Sequence, residues 1–183
     1  MKKVIVVLLL VFINSLVNGQ SPVSKGSLTI GGNISFSSQS FDKISNNSTV
    51  FTFNPQVGYF FIDNFYSAIS INYDHYSSGG SSSNKLGIGP AVRYYFDLEK
   101  IKPFAGLGFT YYEQSNSGSN NKITTTEFKL TGGVDFFLTN YFALETSINY
   151  SFINYNLPSG FYLNNSDQSK LFQIAVGVNY FIY

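Results

Sequence analysis

Cysteine and tryptophan are absent from the 183 residues, and histidine and methionine occur once each. Without cysteine there is no disulfide, no thiolate metal site and no lipid-anchored cysteine. No metal cluster, phosphate loop or nucleotide fingerprint is present, so no metal and no cofactor is expected. Charge is scarce as well. Asp, Glu, Lys and Arg make up 11% of the chain, against roughly 25% in ordinary soluble domains. Eleven basic residues balance ten acidic ones, which gives no electrostatic case for nucleic acid. A soluble surface needs charges, and this sequence can barely cover one.

The only long apolar run lies at the N-terminus. Lys2 and Lys3 precede ten apolar residues, Val4 to Ile13, and Val17 and Gly19 follow at positions that a signal peptidase reads. Ten residues span only ~15 Å as a helix, half a bilayer, so this is an export signal rather than an anchor. The order of charge, apolar run and small residues weighs against a short buried helix. Cleavage is expected between Gly19 and Gln20, giving a signal peptide over 1–19 and one domain over 20–183.

What the chain has in excess is aromatic: 19 Phe and 14 Tyr. Beyond the signal they alternate with small or polar residues at period two, the signature of strands. Leu28, Ile30, Ile34 and Phe36 share a face of the first, and Phe172, Ile174, Val176, Val178 and Tyr180 a face of the last. Eight such segments of about 10–12 residues suit tilted membrane-spanning strands. A repeat marks every second one: "VGYFF" from Val57, "VRYYF" from Val92, "VDFFL" from Val134 and "VNYFI" from Val178. Short connections ("IDN", "DLEKIK", "LTN") alternate with longer Ser-, Asn- and Gly-rich ones ("SSQSFDKISNNST", "SSGGSSSN", "EQSNSGSNN", "FINYNLPSGFYLNNSDQ"). Short turns at one end and polar loops at the other predict an all-β, eight-stranded antiparallel up-and-down transmembrane β-barrel.

Size decides which face is out. The apolar face carries roughly forty large side chains, whereas an eight-stranded barrel has an interior that inward side chains only just fill. The opposite face holds Gly31, Gly58, Gly87, Gly106, Gly133, Ala68, Ser70 and Thr131, together with Arg93, Glu127, Lys129, Asp135 and Glu145. A soluble two-sheet sandwich could absorb more bulk in its core, but its solvent face would have almost no Lys or Glu. Inward Phe60, Tyr66, Tyr95, Phe104, Phe137 and Phe181 are expected to plug the bore, so no porin-sized channel is expected.

These features resemble the small outer-membrane β-barrel family that includes OmpX and the barrel half of OmpA. The resemblance covers the whole mature chain and rests on "PFAGLGFTYY" after a short turn, the repeated strand ends and the aromatic terminus "YFIY". It implies location in the outer membrane of a Gram-negative bacterium. The partners it implies are membrane lipid, lipopolysaccharide and the barrel assembly machinery, which reads the C-terminal strand. Family members usually end in Tyr-x-Phe; here Tyr180 and Ile182 share the apolar face and Tyr183 follows. A monomer with a structural or loop-mediated surface role is expected.

Two constellations bear on function. His75 and Ser77 in "DHYSSGG" share a face and resemble part of the site of lipid A deacylase barrels, the alternative reading. A hydroxyl nucleophile needs a base and a carboxylate to orient that base. Asp74 points the other way, and the nearest residues on neighbouring strands are Lys85 and Thr49. A polar histidine at the rim is the plainer expectation, with no catalytic residue. Inside, Arg93 and Asp135 occupy the same place in the repeat, and Asp135 and Glu145 lie on consecutive strands. The expectation is an Arg93–Asp135–Glu145 cluster in which the guanidinium fork serves both carboxylates, with Lys129 paired to Glu127.

Overall fold

The computed structural model describes residues 21–41, 44–78, 81–115, 122–156 and 168–183. Eight strands follow one another: β1 (Leu28–Phe41), β2 (Ile44–Ile62), β3 (Phe65–Ser78), β4 (Ser81–Tyr95), β5 (Ile101–Ser115), β6 (Lys122–Phe137), β7 (Phe142–Asn156) and β8 (Gln168–Ile182). Each pairs antiparallel with the next. β1 pairs with β8 from Leu28↔Ile182 to Phe36↔Ile174, closing the barrel. Closure leaves no free edge within the bilayer, where an unpaired backbone group is costly.

The strands are longer than the pattern predicts, 14 to 19 residues. Much of the Ser- and Asn-rich text read as loop continues as hairpin: Phe41 pairs with Ile44, and Ser78 with Ser81. Ser, Asn and Gly have low strand propensity, but the paired neighbour overrides it.

The large apolar face is the outer one. Ile69 (55% exposed) and Ile148 (53%) stand out from the wall, while the intervening Ser70 and Ser147 are buried. Among the described side chains, the charged ones on the outward face of the strands, Glu113 and Lys170, lie at the loop ends of β5 and β8, beyond the outward Tyr111 and Phe172. At the midplane a Lys or Arg there would cost about 2–4 kcal/mol.

Inward glycines seat the aromatics of the neighbouring strand. A Cβ on Gly58 would fall 2.2 Å from the Tyr66 ring, one on Gly87 2.5 Å from Tyr112, and one on Gly133 2.6 Å from Phe104. Pro55 and Pro90 lie within strands, where a missing N–H interrupts the ladder on one side. The β2–β3 pairing skips the residues beside Pro55, and the β4–β5 pairing those beside Pro90. Side chains cover the exposed carbonyls: Asn54 Nδ2 donates to Ile71 O at 3.3 Å, and Ser70 Oγ to Gly89 O at 3.2 Å.

Candidate functional site: the barrel interior

The interior is built in three tiers. At the short-turn end lie Phe60, Tyr66, Tyr95, Phe104, Phe137 and Phe181, none more than 6% exposed. Ring centroids are 5.2 Å apart for Phe60–Tyr66 and Tyr95–Phe104 and 4.8 Å for Phe137–Phe181, within the range of favourable tilted packing. Val23, which precedes β1, and Ala143 complete this layer.

The middle tier holds the charges. Asp135 and Glu145 face each other across β6 and β7. Arg93 reaches over from β4, its Nη1 donating to Glu145 Oε2 at 2.8 Å and its Nη2 to Oε1 at 3.4 Å. The structure thus brings Arg93, Asp135 and Glu145 into one cluster, with one correction. Of the two carboxylates, the guanidinium fork grips Glu145 alone, and its Nη1 also lies 3.4 Å from Tyr95 Oη. Asp135 Oδ2 accepts from Tyr95 Oη at 3.0 Å, and its Oδ1 from Asn179 Nδ2 at 2.9 Å. Asn179 Nδ2 also lies 2.9 Å from Glu145 Oε2, so the amide bridges the two carboxylates. The physical reason is shape: a bidentate fork satisfies one carboxylate, and the other takes neutral donors. Asn33 and Ser147 donate to Glu145 Oε1 as well. Beyond them the Arg93 guanidinium lies 4.3 Å over the Phe104 ring, tying this tier to the aromatic one.

Asn179 is a member that the sequence reading missed, although a signal was present. The second position of the repeat is Gly58, Arg93, Asp135 and Asn179 in turn, and the last three assemble here.

The third tier lies toward the loops. Glu127 accepts from Tyr112 Oη at 2.7 Å and from Ser151 Oγ, and Lys129 Nζ lies 3.7 Å away. Asp74 accepts from Thr52 Oγ1 at 2.7 Å. The buried Lys85 has its ammonium between the rings of Tyr76 and Tyr155, 4.9 and 4.7 Å from their centroids. Such a placement is favourable once water is excluded. A void of about 40 Å³ touches Arg93, Asn54 and Asn149, and one of about 10 Å³ touches Asp74 and Glu127. A water needs at least about 10–15 Å³, so each of these two spaces is on the scale of one to a few waters.

At the rim, His75 meets an amide rather than a carboxylate. His75 pairs across β4 with Asn84, and its Nδ1 lies 2.7 Å from Asn84 Oδ1. This amide stands where a triad needs a carboxylate. Asp74 points into the lumen, and Ser77 stands on the outer surface opposite Thr49 and Ser82. Among the described residues no group of three His, Asp or Glu side chains could hold a metal ion.

Comparison with known structures follows the same lines. The chain resembles the N-terminal β-barrel domain of Pseudomonas aeruginosa OprF at 14% identity and a TM-score of 0.54, over 86% of this chain and 98% of that one. It resembles Neisserial surface protein A at 17% identity and a TM-score of 0.55, over 84% and 94%. For Yersinia pestis Ail, an outer membrane protein solved in a phospholipid bilayer nanodisc, the values are 16% and 0.51, over 86% and 99%. No curated protein sequence matches it. The profile of the family described as "Outer membrane protein beta-barrel domain" matches residues 5–180. With a closed eight-stranded barrel, an uncharged lipid-facing band and a match across nearly its whole length, the chain belongs to the outer membrane protein β-barrel family and resides in the bacterial outer membrane.

Proposed function

We propose that this barrel is a non-enzymatic, non-conducting outer-membrane protein with a structural or surface-interaction role. The observation that carries this reading is the filled lumen. Among the described residues an aromatic layer, an ion-paired layer and a second polar layer succeed one another along the bore, each packed with buried side chains. A wall that conducts nothing leaves the loop end as the part that can meet partners. Lipopolysaccharide is the neighbour there, and the C-terminal strand is what the assembly machinery engages. The amide partner of His75 and the inward turn of Asp74 speak against the hydrolase alternative.

Planar-bilayer recording of the refolded protein tests the reading. The expected trace holds only rare, irregular events. Steady, porin-like steps that vanish when the barrel is unfolded would overturn it.

A further inference from the structure

The seven residues before β1 are a poor candidate for structure by composition, since three are Ser and only Val23 is a large apolar residue. Local chemistry nevertheless folds them. Ser24 N donates to Ser21 O at 3.0 Å, closing a four-residue turn with Pro22 second, the place where a fixed φ is favoured. Ser27 N donates to Ser24 O at 3.1 Å, closing another. Its third residue, Gly26, has φ +96°, and a Cβ there would meet nothing within 4 Å. The requirement for glycine is therefore the left-handed backbone and not space.

The double turn is fastened to three parts of the wall. Gly26 N donates to Phe60 O at 2.8 Å and Phe60 N to Ser27 O at 2.9 Å, extending the β1–β2 ladder. Asn64 N donates to Val23 O at 2.8 Å, and Lys25 N to Asp63 Oδ1 at 2.7 Å, both in the β2–β3 turn. Ser21 Oγ donates to Asp97 Oδ2 at 2.7 Å, in the β4–β5 connection, where Lys102 Nζ holds the other carboxylate oxygen. In a closed ring of eight strands β5 lies opposite β1, so the segment crosses the mouth. Val23 is 1% exposed and packs into the aromatic layer midway along that crossing.

We propose that Ser21–Ser27 form a strut across the short-turn mouth of the barrel, with Val23 as the pin that locks it onto the aromatic layer and Asp97 as its far anchor. The strut closes the lumen from below and braces opposite walls. It assigns to these residues a part in the folded barrel that a linker after an export signal would not have.

Limited trypsin digestion of the full-length folded protein in detergent micelles tests this at one bond, Lys25–Gly26, read by mass spectrometry. The Lys25 side chain is exposed, but the amides of Lys25 and Gly26 are both bonded to the wall, the second being that of the scissile bond, so cleavage requires the strut to open. The expected rate is at least about 100-fold below that of a free peptide spanning residues 20–30, because cleavage tracks the open population. Val23→Asp is expected to raise the rate at least about tenfold while the barrel keeps its folded mobility on unheated gels. Should Val23→Asp fail to fold, Val23→Ala combined with Asp97→Asn serves instead, with the same expectation. Cleavage of the unaltered protein at the peptide's rate, or equal rates for the unaltered protein and the folded variant, would overturn the proposal.

Discussion

Arg93→Ala is the substitution whose cost follows most directly from the interior. Arg93 is 6% exposed and its partner Glu145 2% exposed. Two hydrogen bonds join them, the shorter at 2.8 Å. Truncation removes the only cation bonded to Glu145 among the described residues and leaves a carboxylate facing Asp135 across the β6–β7 ladder. Breaking a buried pair from one side typically costs about 3–5 kcal/mol. With a urea slope near 2 kcal/mol per molar, the midpoint falls by about 2 M. Lys100, exposed in the β4–β5 turn, is the control, and Lys100→Ala is expected to leave the midpoint nearly unchanged. The double variant Arg93→Met with Glu145→Leu separates net charge burial from packing. Replacing a whole buried pair by apolar side chains is often close to neutral, so the double variant should recover at least half of the loss. Asn179 keeps Asp135 as an acceptor in that background. Urea titration of folded barrels in lipid vesicles, followed by tyrosine fluorescence and gel mobility, gives the midpoints. Equal midpoints for Arg93→Ala and Lys100→Ala, or a double variant as unstable as the single one, would refute the reasoning.

Gly89→Ala should prevent stable closure between β4 and β5, because the added Cβ would fall 1.7 Å from the backbone carbonyl oxygen of Phe109; normal folding yield on gels would contradict this. His75→Ala should leave the acylation pattern of lipid A unchanged in mass spectra, since its partner is an amide. Processing is expected to leave Gln20 as the first residue, one ahead of the strut, and N-terminal sequencing of protein from outer-membrane fractions checks it. Burial pushes the Asp97 carboxyl up, but the Lys102 ammonium and the Ser21 hydroxyl outweigh it and hold it below its ordinary value. A depressed folded pKa means that the anchor's contribution is full above the unfolded value of about 4 and is lost as pH falls through the folded one. Protection of the Lys25–Gly26 bond, assayed with an acid-active protease, should therefore weaken below about pH 4, and Asp97→Asn should abolish that pH dependence.

The wall was legible in the sequence because a strand's period is two and one face had to be large. Ile69 against Ser70 and Ile148 against Ser147 are enough to fix parity, and parity then places Arg93, Asp135 and Glu145 inside. The repeat even put Asn179 at their level. Its bonding was not legible, because which donor a carboxylate takes depends on distances across the bore. Parity also turned Asp74 away from His75, but the register there was not legible: the Ser- and Gly-rich text reads as loop, yet strand pairing continues and sets the buried Lys85 opposite Asp74 rather than beside His75. The strut was hidden for a different reason. Its hold comes from backbone bonds and one valine, and neither leaves a periodic pattern. The extra strand length arises likewise from hairpin partners that propensity does not register.

The central claim is that the large apolar face meets lipid and the small polar face fills the bore. The chain contains no cysteine, so single cysteines at Ile69, Leu107 and Ile148, each carrying a nitroxide, report their surroundings without background in the barrel reconstituted in lipid vesicles. All three are predicted to be accessible to oxygen, which concentrates in the bilayer, and shielded from a water-soluble nickel relaxant. Cysteines at Ser70 and Ser147, one residue along from two of them, are predicted to react slowly with water-soluble thiol reagents. Nickel-accessible nitroxides at Ile69, Leu107 and Ile148, with little response to oxygen, would contradict the account.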